Sequence, residues 1–137
     1  MIPAAEGEAK SYVTELRKQG EGSLAKKADD LFLKVTDVIN KVGEENGLNE
    51  LDLVSRNVLI HICGAAEEGG IRVTDVMDER TLGSRQTIHG RIHELVEKGW
   101  LTASADRGDG RAKLLQPSMQ THKVIGKLSA SLRSVMR

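Results

Sequence analysis

The sequence predicts a mostly helical α+β fold, on three observations. Apolar residues recur three and four apart over most of the chain, the pattern of helices with one buried face. Across residues 100–115 that spacing lapses into two short runs separated by turn residues, the mark of a hairpin. The 137 residues are 39% apolar and 29% charged, which suits one moderate core and is too apolar for disorder.

Taken in order, Ala9, Tyr12, Val13 and Leu16 mark a short leading helix that stops before Gly20-Glu21-Gly22. Ser23 is the expected N-cap of the next helix, because its hydroxyl can accept a free backbone N–H. That helix carries Leu24, Ala28, Leu31, Val35, Val38 and Val42, alternately four and three apart. Ala25, Phe32 and Ile39 widen the stripe beyond what a lone helix can hide, so it needs a partner helix or a second chain. Gly43 and Gly47 mark its end. Asn49 is the expected start of a helix with Leu51, Val54, Val58 and Ile62 on one face and Leu59 and Cys63 beside them, stopped by Gly64 or Gly69-Gly70. Ile71-Arg72-Val73 reads as a short extended piece, and Thr74 opens a brief helix with Val76 and Met77.

After the turn Thr81-Leu82-Gly83, Ser84 is the N-cap of a helix reaching Lys98, with Ile88, Ile92, Leu95 and Val96 on its apolar face and Gly99 as its C-cap. Residues 100–104 and 111–115 then read as two strands around the turn-rich segment 105–110, and Pro117 closes the hairpin. A last helix presents Ile125, Leu128, Leu132 and Val135. The expectation is one domain, 1–137, in three parts: a helical part at 1–48, a part with helices and a hairpin at 49–118 and a C-terminal helix at 119–137.

Composition removes several function classes. No apolar run approaches the roughly 18 residues of a membrane span. The N-terminus lacks both the basic and the apolar region of a secretory leader, so a cytoplasmic location is expected. Cys63 is the single cysteine, which rules out a disulfide scaffold and a multi-cysteine zinc site. With only Tyr12, Phe32 and Trp100 as aromatics, single-strand recognition by stacking is also excluded. The net charge is zero, yet it is unevenly spread. Residues 1–80 hold 10 Lys and Arg against 16 Asp and Glu, whereas residues 81–137 hold 10 against 4. Two readings stand equal on charge alone: a basic working end on an acidic support, or charges simply uneven along solvated faces.

That basic end contains helix, glycine turn, helix and hairpin, the layout of a winged helix-turn-helix. A helix fits the major groove, and the residues at its N-terminus reach base edges. Here they are Ser84, Arg85, Gln86, Thr87 and His89, all able to hydrogen-bond and all off the apolar stripe. Arg can address guanine and Gln adenine bidentately, while Arg107 and Arg111 on the hairpin can reach a phosphate or the neighbouring minor groove.

The segments Gly83-Ser84-Arg85-Gln86-Thr87-Ile88-His89, Leu95-Val96-Glu97-Lys98-Gly99-Trp100-Leu101 and Asp109-Gly110-Arg111-Ala112-Lys113-Leu114 resemble the MarR family of bacterial transcription regulators. The resemblance spans essentially the whole chain and is strongest over residues 73–115. It implies that Arg111 enters the minor groove and that Asp109 orients it. It further implies repression and a small-molecule effector; with the unpartnered apolar stripes, the expectation is a homodimer held by dimerisation parts at 1–48 and 119–137 that presents the DNA-binding part at 49–118 to a pseudo-palindromic duplex operator. The alternative is a winged helix used for protein–protein contact, since fold does not fix function.

Other candidate chemistry is weak. His89, His93 and Glu97 share a helix face, but Gly90 stands where a zinc protease has its general base, so no metal site is expected. His61 and Cys63 lie on different sides of a helix and make no nucleophile–base pair. Cys63 reads as a buried structural thiol, and Trp100 as a ring filling the gap between helix and sheet. With no catalytic set and no cofactor motif, the chain is not expected to be an enzyme.

Overall fold

A computed structural model describes residues 22–66, 69–105, 108, 110 and 112–136, with side chains from residue 30 onward. The leading helix expected around residues 9–16 lies outside the described residues, as do Arg107, Asp109 and Arg111.

The first described helix, α1, runs Gly22–Glu45, so Ser23 is itself helical rather than the residue that precedes the helix. Gly43 does not end this helix either; it lies within it and makes room for a neighbour. A Cβ there would come within 2.5 Å of Asn49 Oδ1, while Asn49 Nδ2 donates to the Asn40 carbonyl at 2.9 Å. The chain leaves α1 through Asn46, whose side chain donates to the Val42 carbonyl at 2.7 Å, and through Gly47.

Asn49 falls in a 3₁₀ turn, Leu48–Glu50, and the next helix, α2, spans Leu53–Ala65. Leu51 decides this: it is buried, and its extended backbone (ψ 138°) breaks the helical run. Asp52 then caps α2, its carboxylate accepting from the Ser55 N–H at 2.8 Å.

Strand β1 (Ile71–Arg72) leads into α3 (Val73–Met77), which begins one residue before the expected Thr74. A 3₁₀ turn at Arg80–Leu82 joins it to α4 (Arg85–Glu97). Gly99 follows with φ +84°, a left-handed conformation that glycine adopts without strain. The hairpin strands are β2 (Leu101–Ala105) and β3 (Lys113–Pro117), shifted one and two residues beyond their expected positions. Trp100 is held out of β2 because its N–H donates to the Leu95 carbonyl at 2.9 Å, continuing the turn that ends α4. β3 lies between β1 and β2, antiparallel to both, with Ile71 opposite Leu115 and Ala103 on its other side. The last helix, α5 (Met119–Val135), is capped by Ser118, which accepts from the Thr121 N–H.

One core binds these elements. Val58, Leu59 and Ile62 of α2, Val76 of α3, Ile88, Ile92 and Leu95 of α4, and Leu101 and Leu115 of the sheet are all buried in it. Trp100 is buried in the same core, and its carbonyl accepts from Thr121 Oγ1 at 2.5 Å and from the Ser118 N–H at 3.0 Å. The start of α5 is thereby fastened to the α4–β2 junction. Farther along, α5 lies against α1, with Lys127 Nζ donating to Asn46 Oδ1 at 3.1 Å. These two helices also leave apolar side chains in water: Phe32 is 69% exposed, and Leu31, Leu33, Ile39, Ile125 and Met136 are exposed as well.

Candidate nucleic-acid interface

The geometry of α4 begins at Ser84. Its hydroxyl accepts from the Thr87 N–H at 3.1 Å and donates to Thr87 Oγ1 at 2.8 Å, so both side chains are committed to the cap. Ile88 and Leu95 are fully buried and Ile92 nearly so, which fixes the roll of the helix. With that face inward, Gln86, His93 and the bare backbone of Gly90 stand exposed on the other, Thr87 and His89 are exposed at its flanks, and Arg85 is exposed in the first turn, in line with Ile88 and Ile92. The structure thus brings five of the predicted contact residues (Ser84, Arg85, Gln86, Thr87 and His89) onto the first turns of one helix.

Two ion pairs fix this helix to its surroundings. Arg91 Nη2 meets Asp52 Oδ2 at 3.1 Å, and its other terminal nitrogen lies 3.7 Å from Glu94. Asp52 therefore serves two elements, capping α2 with one oxygen and gripping α4 with the other. The Ser55 N–H, foremost, holds its carboxyl below the ordinary carboxylate value, and the Arg91 and Lys98 cations act in the same direction. At the leading end of α4, Arg85 Nη1 pairs with Oδ1 of Asp78, the C-cap of α3. Neither pair was evident in the sequence, because each joins residues on different helices.

His93 Nε2 lies 3.1 Å from Glu97, one turn on, so two of the three groups considered for a metal engage each other. Among the described residues, no three His, Cys, Asp or Glu side chains gather as a metal site would require. Cys63 is half-buried beside the core rather than fully buried, and that burial pushes its thiol up. It is a poor nucleophile in this setting.

Between α3, α4 and the sheet lies an open cleft of about 400 Å³. Met77 and Val96 contribute to its apolar lining, and Arg72, His89, His93 and Lys113 stand around it. Arg72 and Lys113 went unnoticed in the sequence because one belongs to a two-residue strand and the other follows the hairpin loop.

No family model matches the chain, and no curated protein matches it in sequence. Solved structures do match. The chain is similar to S. aureus MepR in a complex with DNA, at 12% identity over 83% of this chain and 85% of that one, with a TM-score of 0.58. It is similar to the transcriptional regulator Tm0710 of Thermotoga maritima at 19% identity over 87% and 76%, with a TM-score of 0.56. It is similar to MarR at 18% identity over 82% and 77%, with a TM-score of 0.51. Helix α4, the three-stranded sheet and the helices on either side are thus arranged as in those structures, and the chain has the MarR-type winged-helix fold.

Proposed function

We propose that the chain is a sequence-specific, double-stranded DNA-binding transcription regulator. It acts as a homodimer on a pseudo-palindromic operator and represses by occupying it. The observation that carries the reading is the exposure of Arg85, Gln86 and His89 on the first turns of a capped helix whose apolar face is locked into the core. Such a helix presents base-reading donors and acceptors to a major groove with its orientation already set. The similarity to a DNA-bound MepR supports the same reading. Ser84 and Thr87 complete the helix start at the phosphate backbone. In the wing, Arg107 contacts phosphate and Arg111 enters the minor groove with Asp109 orienting it. The exposed apolar residues of α1 and α5 form the contact between copies, and the cleft beside α4 is where a small-molecule effector binds. The reading assigns the chain no catalytic step.

The test is anisotropy titration of labelled duplexes at stated salt. Gln86→Ala should cost about 1–3 kcal/mol on the preferred site and much less on random duplex. Equal losses on both duplexes would reduce Gln86 to a phosphate contact, and wild-type binding that does not distinguish the two would refute the reading.

A further inference from the structure

Arg85 is the first residue of α4, and its guanidinium is held by Asp78, which ends the preceding helix. Both backbones are fixed independently. The Asp78 N–H donates to the Thr74 carbonyl at 3.0 Å, and Arg85 follows the capping Ser84. The pair therefore spans the turn of the helix-turn-helix between two anchored points. A flexible arginine loses much rotamer freedom when it engages a base, and a side chain already held in place loses less. The contact occupies one terminal nitrogen, Nη1, so the edge formed by Nε and Nη2 is left for a second bidentate partner. Guanine, with O6 and N7 side by side in the major groove, matches that edge.

We propose that Asp78 is a positioning residue for base recognition, holding Arg85 so that its outward edge reads a guanine in each half-site. The inference rests on the DNA-binding reading above and sharpens it. Asp78 is 62% exposed and carries a negative charge towards the DNA side, so it also repels phosphate. Removing the charge has two opposite effects. Affinity for random duplex holds or rises, while discrimination at one base falls. A residue that merely supported the fold would lower both.

The experiment is binding-site selection from random duplex, followed by titration of the selected duplex and its single-base variants. Four proteins are compared: wild type, Asp78→Asn, Arg85→Ala and the double variant. Asp78→Asn keeps nearly the same shape and the backbone cap, and equal thermal melting checks that it folds as wild type does. The expected result is about a tenfold loss of guanine preference at one position in Asp78→Asn, with the rest of the consensus intact. Arg85→Ala removes the preference at that same position, and adding Asp78→Asn to it changes base preference no further. Full retention of the preference in Asp78→Asn would overturn the inference, and so would an equal loss at every position; both leave DNA recognition standing. A wild-type chain that enriches no sequence would overturn the DNA reading and this inference together.

Discussion

Asp52 does two jobs with two oxygens, and its ionisation couples them. Its carboxyl is held below the ordinary value chiefly by the Ser55 N–H, so folding favours the charged form. The stabilisation it supplies is therefore full above the ordinary carboxylate range, about pH 4, and is lost as pH falls through the depressed value. Thermal melts between pH 2 and 6 should show this acid-side loss in wild type and a shallower one in Asp52→Asn; identical profiles would remove Asp52 from the account. Cys63 is governed by burial instead, which pushes its thiol up from the ordinary value. Iodoacetamide should label it more slowly in the folded protein than in urea, and equal rates would show that the site is open. At this scale the sequence was only partly legible. Ser84 was readable as a cap because hydroxyl, turn and apolar spacing coincide in one stretch. Asp52 was not, because Asn49 offers the same local signal, and the burial of Leu51, a tertiary event, decides between them.

In the proposed reading, helix α4 divides its residues between folding and recognition. Ile88 is fully buried among α2, α3 and α4 residues, so Ile88→Ala should cost about 2–5 kcal/mol of stability by opening a cavity. Ser84→Ala removes a cap and should cost about 1 kcal/mol. Gln86→Ala, on the exposed face, should change stability by no more than about 0.5 kcal/mol while weakening DNA binding. Chemical denaturation beside duplex titration checks the contrast, and a Gln86→Ala protein that unfolds as easily as Ile88→Ala would contradict it. The apolar spacing of α4 made this division visible in the sequence, since one helical period assigns both faces. The hairpin was less legible: its existence followed from turn residues, but its strands are displaced because Trp100 finishes the α4 turn before β2 begins. The pairs Arg85–Asp78 and Arg91–Asp52 depend on how helices pack, which no local period encodes.

The whole molecule places the core-locked helix α4 at one part of the fold and exposed apolar side chains on α1 and α5. Phe32, Leu33 and Ile125 are costly to leave in water, and the homodimer proposed above would cover them. Deleting residues 121–137 would test this poorly, because Thr121 and Val124 are buried and Thr121 bonds to the Trp100 carbonyl. Phe32→Glu, on the exposed face of α1, is the cleaner change. Sedimentation should show it shifted towards monomer, with duplex affinity reduced because two half-sites no longer act together. A monomeric variant with unchanged affinity would remove dimerisation from the mechanism. The central claim is tested most directly by carrying wild-type protein through binding-site selection and then measuring how many chains occupy the selected duplex. The account predicts a symmetric consensus, with half-sites about one helical turn apart, occupied by two chains. A pool that emerges with no enriched sequence, bound no better than random duplex, would contradict it.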